Sequence, residues 1–331
     1  MTGLEEPCGD PTTVGLRRAR DREPPDQRAI GAMSRASEAP FDVSGRTVFI
    51  TGAARGIGAA SAERLHAKGA NVALVGLEPE RLEQNAARLG DRAAAFEADV
   101  TDLGALERAV RATVERFGAI DVAIANAGIA FTGSLAKAPV EQVERTLAVN
   151  LLGVWRTDRA VIEQITQRRG YLLNIASLAA IAHAPLMGPY TTAKAGVEAL
   201  TDALRMEAAP SGARVGCAYF GYLDTDLVRA GFAQPSVQSL TAQLPGFMRN
   251  PAPLSKAIDA IERGIERRSA RVWFPRWVGP LLVLRGLLQP LTERRTLKDS
   301  ALLEEGMRIA ESSGETQTQD PVLGVSAQAI D

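Results

Sequence analysis

Cysteine is almost missing from this sequence. Cys8 and Cys217 are the only two in 331 residues, one in a polar tail and one in an apolar run. That excludes a disulfide framework and fits a reducing compartment, so a cytoplasmic protein is expected. Histidine is as scarce: His66 and His183 cannot by themselves build a metal site, and no metal is expected. Net charge is lacking too. Thirty-eight basic residues face 39 acidic ones, and no Lys/Arg block of the nucleic-acid type occurs, so nucleic acid is excluded as a partner. A membrane-spanning run is also absent. In the most apolar stretch, WFPRWVGPLLVLRGLLQPL at 273–291, Arg276 and Arg285 break the run. Pro280 and Pro290 confine any helix there to about nine residues, roughly 14 Å, half of a bilayer core.

What is present is a core. Hydrophobic residues make up 46 % of the chain, with 30 glycines, enough for one large folded unit. Residues 1–40 stand apart: they are rich in Pro, Arg, Asp and Glu without apolar period, and are expected to be disordered. The Arg17-Arg18 pair has no apolar run behind it and is not read as an export signal. Met33 is taken as the natural start. Residues 311–331 are likewise expected to be a disordered tail.

Between the tails, short apolar runs at 47–51, 71–76, 93–99, 121–127, 171–177, 215–220 and 271–274 read as strands. Several are continuous rather than alternating, as strands covered on both faces are. Helical patterns separate them; in one, Ala193, Val197, Leu200 and Leu204 recur at i, i+4, i+7 and i+11. The alternation predicts a single doubly wound, Rossmann-like α/β domain over 41–275, with a parallel seven-stranded sheet and helices on both faces. An apolar extension over 276–310 follows. Ligands in such sheets bind beyond the carboxyl ends of strands.

The first strand runs into TGAARGIG, where Thr51, Gly52, Gly56 and Gly58 follow T-G-x-x-x-G-x-G and a helical pattern begins. Glycine permits the tight turn and close backbone approach, and the helix start offers its N–H groups to a diphosphate. Asp99 ends the third strand with Val100 next to it, Asn126-Ala127-Gly128 ends the fourth, and Ser177 ends the fifth. Asn150 lies inside a helical pattern, where asparagine is a poor former. Tyr190 and Lys194 stand four apart in YTTAK and so share a helix face. On residues alone, Asp99 could be a helix N-cap, a role that Thr101 or Asp102 could fill equally well, and Asn126-Ala127-Gly128 a simple turn.

Taken together, these motifs resemble the classical short-chain dehydrogenase/reductase family over about residues 43–275. The resemblance implies an oxidoreductase that moves a hydride between a nicotinamide cofactor and an alcohol or carbonyl carbon. It assigns catalysis to Asn150, Ser177, Tyr190 and Lys194. It assigns the cofactor to Thr51, Gly52, Arg55, Gly56, Ile57, Gly58, Asp99, Val100, Asn126, Ala127, Gly128, Tyr190, Lys194, Gly221, Leu223 and Thr225. An ammonium one helical turn from a phenol favours phenolate and makes Tyr190 a usable general acid/base. Ser177 would hold the substrate oxygen. By resemblance, Asn150 holds a water through its carbonyl, and Lys194 holds the ribose. One departure stands out: Phe220 replaces the proline that usually precedes Gly221.

NADP(H) is favoured, with NAD(H) left open. The family's NAD-binding aspartate is replaced by Gly76, and Arg55 matches the residue used on a 2′-phosphate, though Glu78 is close in sequence. The substrate-side segments are Ile129 to Phe131, Leu178 to Met187, and the stretch from Thr225 to about Gly246. They are mostly apolar, which predicts a lipophilic secondary alcohol or its ketone or aldehyde. His183 is given no role. The segment 273–291 is read as pocket cover, partner packing or a membrane-interfacial segment. The resemblance also implies a homodimer or homotetramer. A different class stays open: a non-catalytic dinucleotide-binding sensor or scaffold. An epimerase or dehydratase on the same fold is disfavoured by the glycine spacing and the complete tetrad.

Overall fold

The computed structural model describes residues 39–232, 234–241, 246–298, 300–312 and 317–319. The expectations for the N-terminal extension, the Arg17-Arg18 pair, a start at Met33, and the last twelve residues lie outside the described residues.

The expected apolar runs form strands β1 (Thr47–Thr51), β2 (Asn71–Gly76), β3 (Ala93–Glu97), β4 (Val122–Ala125), β6 (Tyr171–Ile175), β7 (Arg214–Phe220) and β8 (Arg271–Phe274), with a short β5 (Ala130–Thr132) among them. They build one seven-stranded sheet in the order β3-β2-β1-β4-β6-β7-β8, every neighbouring pair parallel. The chain leaves in opposite directions from β1 and β4, which neighbour each other. The crevice beyond their carboxyl ends is the topological switch point where ligands settle.

The helices are α1 (Gly56–Ala67), α2 (Pro79–Leu89), α3 (Leu103–Phe117), α4 (Val140–Leu147), α5 (Gly153–Gln167) and α6 (Gly188–Ala208), then α7 (Asp226–Phe232), α8 (Pro235–Thr241), α9 (Gly246–Arg249), α10 (Leu254–Glu266), α11 (Val278–Lys298) and α12 (Ser300–Ser312). Strand side chains alternate faces, so each strand feeds two cores. Val48 and Ile50 pack with Leu65 of α1, Leu82 of α2 and Ile261 of α10. Phe49 points the other way, into a cluster with Leu106 of α3 and Val161 and Ile165 of α5. Burial on both faces is why these strands read as unbroken apolar runs.

Three expectations need correction. Strands β3, β4 and β6 stop two residues short of their predicted ends, because Asp99, Asn126-Ala127 and Ser177 leave the ladder to make other contacts. Helix α11 is not confined by its prolines: it runs 21 residues, through Pro290. Pro280 lies in the first turn, where a missing N–H is harmless. Gly286, the residue whose carbonyl Pro290 displaces, is exposed with nothing within 4 Å of an added Cβ, so the backbone can bend toward water there. Finally, the polar tail is not wholly aperiodic. Gln317–Gln319 forms a strand, β9, antiparallel to β5, with Phe131 opposite Thr318. Backbone pairing asks little of side chains, which is why a Gln-Thr-Gln run can supply it.

Candidate active site

The turn after β1 is shaped by contacts that exclude side chains. Gly52 has φ +65°, and a Cβ there would lie 2.8 Å from Ala127 Cα. A Cβ on Gly58 would lie 2.3 Å from the Gly52 carbonyl oxygen. Asn126 holds the turn from the neighbouring strand: its Nδ2 donates to the carbonyls of Thr51 (3.0 Å) and Gly52 (3.2 Å). Thr51 Oγ1 accepts from the N–H groups of Asn126 and Ala127. Helix α1 starts at Gly56, beside half-buried Ile57, with no acidic residue in its first turn. The outcome is a bare backbone cradle at the positive end of a helix dipole, and it fits a dinucleotide's diphosphate.

Beyond β3, Asp99 Oδ1 accepts from Thr101 N at 2.7 Å, fixing that turn. Val100 is buried against Gly153, where a Cβ would come within 2.7 Å of its Cγ2. Asn150 sits in a single π-helical turn, Ala148–Leu152, between α4 and α5. Such bulges favour functional sites because they free one backbone group from the ladder. Its fully buried side chain makes two 2.8 Å bonds with the backbone of Ile129, accepting from N and donating to O. This clamp holds the segment leading into β5.

Ser177 caps the short 3₁₀ turn Leu178–Ala180, its Oγ accepting from Ala179 N at 3.1 Å, and its hydroxyl stands near the Tyr190 phenol. One turn along α6, Lys194 is buried and donates its ammonium to the Ile175 carbonyl at 2.8 Å. Its Nζ lies 5.8 Å from the centre of the Tyr190 ring. Gly128 brings the group together: a Cβ there would stand 2.9 Å from Asn150 Oδ1 and 3.7 Å from Lys194 Nζ. All four predicted catalytic residues thus meet at the ends of β4 and β6.

The electrostatics differ from expectation. Burial pushes the Lys194 ammonium down to about 8. Burial also raises the Tyr190 phenol, the nearby Ser177 hydroxyl opposing and Tyr222 adding to the rise. Lys194 therefore does not hold this phenol acidic by itself, because its proton is directed at the Ile175 carbonyl.

Leu223 is buried and bridges to Ala252, and Thr225 Oγ1 accepts from Val228 N at the start of α7. Thr225 Cγ2 stands 3.9 Å from a Cβ placed on Gly56, so the loop after β7 closes over the cradle. Gly221 packs against Pro275 and Trp277, and Phe220 is buried in the core. Arg55 and Glu78 form a two-pronged ion pair at the mouth of the cradle, and Gly76 is covered by Leu82.

On the substrate side, Phe131, Ile181 and Leu186 are buried and His183 is exposed. The stretch after Thr225 folds as α7, α8 and α9, with 242–245 outside the described residues. Sequence reasoning missed Tyr222 beside Tyr190, and it missed two elements of the C-terminal region. Helix α12 packs on α8, and β9 lies against α4 and α7 as well as β5.

The chain matches the short chain dehydrogenase family model over residues 46–235. It is 36 % identical over 209 residues to 2-(R)-hydroxypropyl-CoM dehydrogenase of Xanthobacter autotrophicus, covering 60 % of this chain and 84 % of that one. It is 32 % identical over 224 residues to 3beta-hydroxysteroid dehydrogenase 1 of Eggerthella lenta, covering 65 % and 86 %. In structure it is similar to the 3-ketoacyl-(acyl-carrier-protein) reductase of Brucella melitensis complexed with NADH, with TM-score 0.62 and 25 % identity over 70 % of this chain and 97 % of that one. With the fold, the cradle and these matches in agreement, the chain belongs to the short-chain dehydrogenase family of oxidoreductases.

Proposed function

We propose that this protein interconverts a lipophilic secondary alcohol and its ketone, with Tyr190 as general acid/base. The observation that carries the reading is the meeting of Tyr190 with Ser177 and with a buried lysine one helical turn away, beside a backbone cradle for diphosphate. A bound nicotinamide dinucleotide supplies or accepts the hydride. The remaining work belongs to side chains. Ser177 holds the substrate oxygen at hydrogen-bond distance from the phenol. Tyr190 delivers a proton to that oxygen in reduction and removes it in oxidation. Lys194 places a fixed donor beside the ring, where it would also hold ribose hydroxyls, and the Asn150 backbone would hold a water leading to solvent.

Thr51, Gly52, Gly56, Ile57, Gly58, Asp99, Val100, Asn126, Ala127, Gly128, Gly221, Leu223 and Thr225 would hold the cofactor. NADP(H) is the proposed form: no acid stands at Gly76, and Arg55 sits at the lip of the cradle. A 2′-phosphate there must displace Glu78 from Arg55. The apolar substrate side supports a lipophilic substrate, and one relative's name specifies a hydroxysteroid. A homodimer or homotetramer is proposed through α5 and α6, whose outer side exposes Trp155 and Met206.

The test is nicotinamide absorbance during incubation with a panel of lipophilic alcohols and ketones, with Tyr190→Phe as control. Turnover in the wild type and its loss in the variant support the reading. Cofactor binding without turnover of any panel member favours a sensor or scaffold, and an unchanged Tyr190→Phe rate contradicts the mechanism.

A further inference from the structure

Helix α11 has an unusual surface. Val283, Leu287 and Leu291 recur at i, i+4 and i+8 and are 83 %, 71 % and 58 % exposed, and Leu284 beside them is 44 % exposed. Trp273, on edge strand β8, adds a fifth large apolar side chain, also 44 % exposed. Scattered exposed leucines are ordinary, but a continuous stripe of this kind marks a contact surface. The opposite side of the helix is anchored: Val278, Leu281 and Leu282 pack with Val197 of α6 and Tyr219 of β7. Arg285 pairs with the buried Glu198. The stripe is therefore held outward by the fold.

Its charge says what it meets. From Arg271 to Leu291 there are three arginines, two tryptophans and no acidic residue, in a chain whose charges otherwise balance. A cavity of about 750 Å³ opens on this side, walled by Trp273, Pro280, Leu282 and Val283, with Arg271, Arg276 and Arg285 around it. Glu198, also at its edge, is already engaged by Tyr219 and Arg285, and Arg271 lies 3.8 Å from Asp202. Arg276 is exposed and has no carboxylate partner among the described residues. A second copy of this chain would set the same arginines against one another across a twofold axis, and the one exposed acid near the stripe among the described residues, Glu293, already accepts from Gln289. A neutral apolar partner would bury Arg276 unpaired. Phospholipid headgroups offer phosphate to the arginines while their acyl chains take the leucines and tryptophan.

We infer that α11, with Trp273 and Arg276, is a docking surface for anionic phospholipid bilayers. The helix lies on the membrane rather than crossing it: among the described residues no helix is long and apolar enough to span.

The test is flotation of the full chain with vesicles of phosphatidylcholine alone or mixed with phosphatidylglycerol. Binding to the anionic vesicles only, weakening as salt is raised, is expected. Arg276→Gln should lower the partition roughly fivefold. Leu287→Glu and Val283→Glu should each abolish it while keeping the wild-type melting temperature, since both positions are exposed. No flotation with anionic vesicles, or equal flotation with both kinds, overturns the inference. So does a fall in oligomeric mass in Leu287→Glu by light scattering, which would make this face a subunit contact. None of these readouts depends on turnover, so the inference and the proposed reaction fail separately.

Discussion

Arg55 and Glu78 stand 23 positions apart in sequence and meet as a bidentate ion pair, each preceding the first residue of a helix that follows a sheet strand. In sequence they look like opposing votes on the cofactor, a cation for a phosphate and an anion against one. In the fold they neutralise each other, both half-buried, at the lip of the glycine cradle.

Cofactor selectivity should therefore respond to both partners. Glu78→Gln releases Arg55 and should tighten NADPH while leaving NADH nearly unchanged. Arg55→Ala should weaken NADPH about tenfold or more, the loss of a charge-assisted hydrogen bond, and affect NADH far less. Dissociation constants from fluorescence quenching measure both. Equal losses for the two cofactors in Arg55→Ala would reverse the proposed preference.

Turnover should follow the Tyr190 phenol. Tyr190→Phe is expected to lower kcat by about 10² to 10⁴, the usual worth of a positioned acid/base, with cofactor affinity preserved. The raised phenol sets the direction of the pH dependence. Protonated Tyr190 is the species that reduction needs, so ketone reduction should hold through neutral pH and fall in alkali. Alcohol oxidation needs the deprotonated form and should climb as pH rises. Parallel profiles in the two directions would remove Tyr190 from the proton step.

Much of this was legible before the fold. Strands such as β1 and β2 announce themselves because burial on two faces leaves no room for polar residues. The glycine turn is legible because Gly52 and Gly58 touch backbone that a side chain would strike. The rest depends on long-range meetings that no local pattern encodes. The ammonium of Lys194 finds a carbonyl 19 residues earlier, and Tyr222 comes beside Tyr190 only once β7 lies next to β6. Strand β9 is a polar three-residue run, Gln-Thr-Gln, with no apolar alternation to mark it in the sequence.

That strand makes the next prediction. Seated on β5 and against α4 and α7, β9 borders the side assigned to substrate. Removing residues 313–331 should change KM for a lipophilic alcohol severalfold and shift the dissociation constant for the dinucleotide much less, because the main contacts of β9 are with β5, α4 and α7 rather than with β1 or α1. Steady-state kinetics with equilibrium cofactor titration separate the two. A matched loss of cofactor binding would show that the segment supports the whole site.

The last prediction concerns a carboxyl that takes no part in the chemistry. Asp158 of α5 is buried against β6, where Asn174 Nδ2 donates to its Oδ2 at 2.8 Å and to Thr201 Oγ1 at 3.0 Å. Asp158 Oδ1 and Asn174 Oδ1 have no hydrogen-bond partner among the described residues. Burial raises the Asp158 carboxyl to about 8 against an ordinary 3.8, the Asn174 bond only partly opposing it. The unfolded chain gives up this proton at a lower pH than the folded one. The group's contribution to stability is thus full below 3.8 and is lost as pH rises toward 8. At neutral pH the loss is on the order of 4 kcal/mol, at about 1.4 kcal/mol per pKa unit. Asp158→Asn removes the titration while keeping a donor beside the unpaired Asn174 Oδ1. It should raise Tm by several degrees near pH 8 and change it little near pH 4. Thermal denaturation at the two pH values decides the matter, and an equal shift at both would mean that Asp158 is ionised in the folded protein.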